Sequence, residues 1–281
     1  MTKQLMMTGL CLSLVLLLLC AGCTTQEKSA APEKTTADKQ LNKDTSTPQA
    51  PAAAGMKVYK VGIDVPYPPF SMMDEKGVPT GFDVESLRWI AKDQGFEPDF
   101  QVVAWDGIIP ALQAGKIDMV YSGMTITDER KEKVNFSKSY WTVNQMVVAK
   151  AGSSITLDQV KAGKASIGTQ RGCTAAIWAE DNLVNKTLMP AENLKQYDNT
   201  PLAVEDLAAG RIDVVMYDST VMNDIIAGKP VMKVGMIETN EQFGIAVRKD
   251  DTVLLEKLDA GLTHLMASPD WKALIQKYKM E

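Results

Sequence analysis

Apolar and polar positions divide this chain into three regimes. Leu10 to Leu19 is an almost unbroken apolar run, and Thr24 to Gly55 is polar without any periodicity. From Met56 onward, apolar runs alternate with segments whose apolar residues recur at helical spacing. VYKVGIDV (Val58–Val65) has the β-branched character of a buried strand, and the prolines of PYPPF end any regular element there. Phe82 to Asp93 places Phe82, Leu87, Ile90 and Ala91 on one helical face, with Gly95 as the stop. Asp99 to Val103 reads as a strand and Trp105 to Gln113 as a second helix. Strands alternating with helices predict βαβ units, so the fold class is α/β with parallel sheets.

A segment of this pattern occurs twice. LQAGKIDMV (Leu112–Val120) reappears as LAAGRIDVV (Leu207–Val215), each time a helix ending on Gly, a basic residue, then Ile-Asp leading into an apolar strand. The strands deliver Tyr121-Ser122-Gly123 and Tyr217-Asp218-Ser219. Chance similarity between two common helix–Gly–strand units is one explanation; two lobes of similar build is the better one. Ligands of open α/β sheets gather beyond the carboxyl ends of the strands, where both polar clusters lie. Two facing lobes would therefore bring the clusters to one cleft.

Composition adds the chain's address. Lys3, the apolar run and CAGC form a stretch too short for a bilayer span, which needs about 20 apolar residues, and read as an export signal over 1–22. LCAGC resembles a bacterial lipobox, implying lipidation of Cys23 and a membrane anchor. Cys20 stands where that motif usually has Leu, which leaves conventional cleavage as the alternative. Residues 23–56 contain one large aliphatic residue before Met56 (Leu41) and no aromatic, too little apolar surface to offset ordering entropy, so a disordered linker is expected. The formal net charge is −5, with no basic block, which argues against nucleic acid. Cys173 is the sole cysteine beyond residue 23 and His264 the sole histidine, poor material for a metal site or a Cys-His dyad.

SGMTITDER (Ser122–Arg130) and MYDST (Met216–Thr220) hold the candidate chemistry. A guanidinium with nearby N–H donors suits a carboxylate, and a carboxylate with neutral acceptors suits an ammonium. Arg130, Thr125, the Gly123 carbonyl and Asp218 supply that set, so a site combining them would take a zwitterion such as a free amino acid. Each member has a plainer account: a surface ion pair with Asp128 for Arg130, and an N-cap on the following helix for Asp218. Asp128 and Glu129 are expected to face solvent and cap their helix.

VGIDVPYPPF, TGFDVE, WDGIIPALQAGKIDMVYSGMTITDERKEKVNFSKSYW, IGTQRGCTA and FGIAVRK together resemble the polar amino-acid family of periplasmic solute-binding proteins, the receptors of ABC-type uptake transporters. The resemblance runs from about Val58 to the C-terminus. It implies a two-lobed periplasmic-binding-protein (type II) fold, each lobe a mixed, mostly parallel sheet flanked by helices. Lobe 1 would comprise 57–140 and 244–281, lobe 2 145–238, with a two-strand hinge at 141–144 and 239–243. It further implies carboxylate binding by Arg130, contacts to ammonium and carboxylate from Gly123 and Thr125, ammonium binding by Asp218, and a carboxylate contact from the Thr174 N–H. Asp64, Tyr67 and Trp105 match side-chain pocket positions, the two aromatics as a sandwich; lobe core is the alternative for both, and the expected place for Phe70. Gln170 and Arg171 would lie at the cleft lip, with Tyr217 a weaker candidate. Cys173 replaces the family's usual Thr, and a buried small residue is the simplest account of it.

Implied partners are a free L-amino acid, an ABC permease and the membrane, for an exported monomer facing the periplasm or cell exterior; no cofactor and no metal are implied. Asp64 favours arginine, lysine or histidine over glutamine, while an inward-pointing Arg171 would oppose a cation. The alternatives are an arogenate or prephenate dehydratase-like enzyme, in which Asp64 would be the acid, and a ligand-sensing domain for a separate signalling partner. Nothing beyond Asp64 resembles a catalytic set, so no enzymatic activity is expected.

Overall fold

The computed structural model describes residues 55–280. The expected signal, Cys23 and all but the last two residues of the 23–56 linker fall outside the described residues.

The chain opens with β1 (Lys57–Ile63), the small hairpin β2 (Met72–Met73) and β3 (Pro79–Thr80), and α1 (Phe82–Gln94). Next come β4 (Phe96–Val102), α2 (Trp105–Gln113), β5 (Met119–Val120), α3 (Asp128–Lys133) and β6 (Asn135–Phe136). Then β7 (Trp141–Lys150) leads into α4 (Leu157–Lys161), β8 (Ile167–Gln170), α5 (Thr174–Ala179), β9 (Leu194–Tyr197), α6 (Thr200–Ala209), β10 (Val214–Asp218) and α7 (Ser219–Ile225). β11 (Val231–Phe243) returns to β12 (Ala246–Val247), and α8 (Thr252–Ala267) and α9 (Pro269–Lys277) close the chain.

Two five-stranded sheets result, ordered β4-β1-β5-β12-β6 and β11-β7-β10-β8-β9. In the first, β1 runs parallel to β4 and β5 while β12 is antiparallel to both neighbours. In the second, β8 runs parallel to β9 and β10, and β7 is antiparallel to β10 and β11. This is the mixed α/β arrangement in two lobes. The first sheet draws on 57–136 and 246–247, so the chain leaves it through β7 and re-enters it after β11. Segments 141–144 and 239–243 sit where these long strands meet, with Phe243 opposite Trp141 and a register shift between Ile237 and Glu241.

Local chemistry explains the boundaries. α1 begins with Asp83 and Glu85 in its first turn and ends on Gly95, whose φ of 70° and N–H bond to the Ala91 carbonyl close it in the left-handed conformation. Phe82, Val84, Leu87, Ile90 and Ala91 form its buried face, and α8 and α9 pack on it. Two strand bounds differ from expectation. The first strand stops at Ile63, before the prolines, and the strand expected from Asp99 starts at Phe96, because pairing with β1 extends through Pro98. Phe70 is fully buried against Phe82 and Phe243, in the core as expected.

The sequence repeat is a structural one. Asp118 accepts the Lys60 N–H at 2.8 Å, and its counterpart Asp213 accepts the Ser166 N–H at 2.8 Å. Ile117 packs so tightly on β1 that a Cβ at Gly62 would lie 2.4 Å from its Cδ1; Ile212 stands in the same relation to Gly168 on β8, also at 2.4 Å. Each carboxylate thus ties its motif to the backbone at a neighbouring parallel strand, midway along β1 in one copy and just before β8 in the other, and each glycine lets the isoleucine pack. The copies differ in strand length: two residues in β5, five in β10.

Candidate functional site

β5 and β10 both end at the junction of the lobes, and the residues leaving them face one small cavity of about 10 Å³. That is far below the roughly 300–1,000 Å³ usual for small-molecule sites, so the two walls stand nearly in contact. Its walls include Tyr67, Trp105, Gly123, Thr125 and Arg130 from one side and Cys173, Thr174, Tyr217 and Asp218 from the other.

Arg130 is buried, 6% exposed. Thr127 caps α3 by accepting the Arg130 N–H at 3.2 Å, which turns the arginine side chain back toward β5. Its guanidinium donates to the Thr125 carbonyl at 2.9 Å and, across the cleft, to the Gly172 carbonyl at 3.2 Å. The Trp105 ring covers it, with 5.3 Å from guanidinium carbon to ring centroid, a cation–π contact. Among the described residues no carboxylate lies within 4 Å of it. Burial lowers its pKa from the ordinary arginine value.

Asp218 is the opposite pole. It stands at the N-cap position of α7 but makes no capping bond. Its carboxylate instead accepts the Tyr67 hydroxyl at 2.6 Å, from the other lobe, and the Gln145 amide at 2.7 Å. Burial, reinforced by the nearby Glu241 charge, pushes its pKa up to about 7. No cation lies within 4 Å of Asp218 among the described residues. Two buried opposite charges therefore line one cavity without pairing with each other.

Gly123 holds the chain between them. Its φ is 55°, and a Cβ there would meet the Tyr67 ring at 2.4 Å, so only glycine permits the turn and the packing together. Its N–H donates at 2.7 Å to Asp83, which also accepts the Tyr140 hydroxyl at 2.9 Å. Burial pushes the Asp83 pKa up to about 7.

The family model for bacterial extracellular solute-binding proteins, family 3, matches residues 59–281. The chain belongs to that family. This family-3 protein is 33% identical over 235 residues to a probable histidine-binding protein of Neisseria gonorrhoeae, covering 82% of this chain and 85% of the relative. It is 34% identical over 238 residues to an L-arginine-binding protein of Pseudomonas aeruginosa, covering 81% and 90%. Among solved structures, an ancestral arginine-binding protein bound to arginine superposes with a TM-score of 0.72 at 35% identity, over 80% of this chain and 99% of that one. An ancestral arginine-binding protein bound to glutamine does so with a TM-score of 0.72 at 35% identity, over 82% and 100%.

In this family-3 protein Tyr67, Trp105, Gly123, Thr125, Arg130, Thr174 and Asp218 all line the cavity. Tyr67 and Trp105 do so differently from a sandwich: Tyr67 stacks on Phe70 and serves Asp218, whereas Trp105 covers Arg130 and donates to the Gly172 carbonyl at 3.2 Å. Gln170 is not at the lip. It is 1% exposed and donates to Asp64 at 2.7 Å across the lobes, because its strand ends facing that of Asp64. Tyr217 donates to the Gln170 carbonyl oxygen, so this pair joins the cavity wall through a phenol. Burial pushes the Asp64 pKa up to about 6. Arg171 is the lip residue, exposed and paired outward with Asp198 at 3.6 Å and Asp106 at 3.8 Å. Asp128 and Glu129 face solvent, but Thr127 rather than either acid is the cap. Cys173 is buried beside Thr169 at 3.1 Å, and burial pushes its thiol up to about 11, an inert small side chain at neutral pH.

Two site residues escaped sequence reading. Gln145, on β7, places one amide nitrogen between Asp218 at 2.7 Å and Glu241 at 2.8 Å. The signal was a polar pair, Asn144-Gln145, heading the apolar run MVVA. Glu241, on β11, accepts from Thr125 at 2.9 Å and Thr174 at 2.5 Å. It lies in the TNEQF segment, where polar composition gave no hint that one side chain turns inward.

Proposed function

We propose that this chain binds a free L-amino acid with a basic side chain between its lobes and delivers it to an ABC-type permease. The observation that carries the reading is the pair of buried, mutually unpaired charges, Arg130 and Asp218. An isolated buried ion costs several kcal/mol, so a wall carrying both signs calls for a ligand with an anion and a cation at matching ends. The α-carboxylate would take Arg130 with Thr125 and Thr174; the α-ammonium would take Asp218 and the Gly123 carbonyl. The basic side chain is favoured by a further acid that the zwitterion ends do not use, Asp64, buried where the lobes meet. Arg171 points away to Asp106 and Asp198, which removes the objection to a cationic ligand. The relatives named for histidine and arginine support the same class; glutamine is the second choice, supported by the glutamine-bound ancestral protein.

Contacts from both lobes stabilise only the closed form, so ligand binding would shift the protein toward closure about 141–144 and 239–243. In this reading the protein is an exported monomer. Cys23 anchors it to the membrane, and the 23–56 segment holds lobe 1 (57–140 and 244–281) and lobe 2 (145–238) clear of the surface. It is a receptor rather than an enzyme. One observation favours the dehydratase-like alternative, namely that Asp64 and Asp218 hold protons nearer neutrality than ordinary carboxylic acids do.

Thermal shift of residues 55–281 against the twenty amino acids tests the proposal. Stabilisation by L-arginine, L-lysine or L-histidine, absent in Arg130→Ala, is expected. A response to no amino acid would sink the binding reading, and consumption of the ligand on incubation would favour the enzyme.

A further inference from the structure

Glu241 holds a place that the proposed ligand needs. Its Oε2 accepts from the hydroxyls of Thr125 and Thr174, one from each side of the cleft, and its Oε1 accepts from Gln145. Thr125 and Thr174 are two of the groups assigned above to the ligand's α-carboxylate. The geometry points to Glu241 as an internal carboxylate that takes the two threonines of the carboxylate subsite, short of Arg130, latches the lobes together and must leave before an amino acid can bind.

Three observations support a side chain with two positions. First, Glu241 comes directly after the register shift in β11, so it is not held in a regular ladder on both sides. Second, Thr125, Thr174 and Glu241 also line an outer groove of about 470 Å³, leaving room for the carboxylate to swing outward. Third, that groove includes Lys131, whose ammonium otherwise pairs only with exposed Asp128 at 3.1 Å and offers the displaced carboxylate a partner. Two carboxylates on the same hydroxyls repel strongly in a water-poor cleft, so inner Glu241 and bound ligand exclude each other. An inner position favoured ten to one would weaken apparent affinity by about tenfold, since only the remaining fraction is competent. A closed, internally satisfied cleft would also bind solutes lacking the ammonium poorly, because they would displace Glu241 without gaining Asp218.

This inference rests on the amino-acid reading, and the experiment separates the two. Titrate the wild type, Glu241→Ala and Glu241→Gln with L-arginine by calorimetry, and measure the radius of gyration of each unliganded protein by small-angle scattering. The expected results are about tenfold tighter binding in Glu241→Ala, a smaller gain in Glu241→Gln, and a more open unliganded Glu241→Ala. Equal or weaker binding in Glu241→Ala would show that Glu241 supports the site, and an unchanged radius of gyration would show that it latches nothing; either result overturns the inference while leaving the amino-acid reading intact. Failure of the wild type to bind any amino acid overturns that reading, and the scattering comparison, which needs no ligand, still judges the latch.

Discussion

The two copies of the helix–Gly–Ile-Asp–strand motif share a scaffold and differ in what they present. In both, an aspartate ties the motif to the backbone two residues before a strand glycine, and an isoleucine packs on that glycine. Aligned on these features, Gly123 of the first copy corresponds to Asp218 of the second. The first lobe therefore offers bare backbone at that point and supplies its charge from Arg130, seven residues on. The second offers a carboxylate directly from the strand end. The same register makes Asp64 the counterpart of Gln170, and the two meet across the cleft at 2.7 Å. A duplicated framework supplies position, and substitutions at the strand ends divide the charges between lobes.

The most direct way to break this comparison is to remove each pole in turn. Arg130→Ala should cost about 3–5 kcal/mol of L-arginine binding, enough to abolish a calorimetric signal at micromolar protein. Asp218→Asn keeps an acceptor for Gln145 and turns the Tyr67 hydroxyl into an acceptor of the new amide, but loses the charge, and should cost about 2–4 kcal/mol. An amide tolerated within a factor of three would refute the assignment of the anionic pole to the second lobe.

Proton linkage sharpens the same contrast. Asp218 holds its proton up to about pH 7, and the bound ammonium favours the ionised form, so binding expels a proton below that pH. Affinity for L-arginine should fall by about tenfold per unit as pH drops below about 7, with Asp64 adding to the fall below about 6. Asp218→Asn should flatten the upper part of this profile, whereas a profile unchanged by the substitution would point to another group.

Asp83 lies beneath the first pole and has no counterpart named in the second. Its raised folded-state pKa means that the folded protein binds its proton more tightly than the unfolded chain does. The stabilisation is full below about 3.8 and is lost as pH rises through about 7. Among the described residues its Oδ1 is buried without a partner. Asp83→Asn should therefore stabilise the protein at pH 8 by about 1–3 kcal/mol, and by less at pH 5, in urea denaturation. Equal destabilisation at both pH values would instead assign Asp83 an indispensable structural charge.

The smallest effects concern the shared scaffold. Asp213→Ala and Asp118→Ala each remove a carboxylate from a backbone N–H of the neighbouring strand segment and should destabilise by about 1–2 kcal/mol. Asp118 should stand at the upper end, because it also pairs with Arg248 at 3.2 Å. Chemical denaturation of both variants checks this, and a negligible effect in either would reduce the repeat to a resemblance of sequence.

The helices and strands were legible where local rules act: Gly95 ends α1, Gly210 ends α6, and β-branched runs mark the strands. The cavity wall was legible through residues that match a family pattern. Gln170 was misplaced because burial of a residue at a strand end depends on the facing lobe, and Thr127 was overlooked as a cap beside two more conspicuous acids. Glu241 and Gln145 were missed because both belong to strands that cross between lobes, where alternation along the strand does not tell which polar side chain turns inward.

The amino-acid sequence by itself determined the element order, the two-lobed α/β class, the repeat and the two candidate charges, since periodicity, capping residues and residue type express local energetics. Only the tertiary structure decided that Arg130 and Asp218 share a cavity without pairing, that Asp64 meets Gln170, and that Glu241 accepts from Thr125 and Thr174. Those outcomes depend on how two lobes built from distant segments close on one another, and on desolvation, which acts on a charge only after the facing surface has arrived.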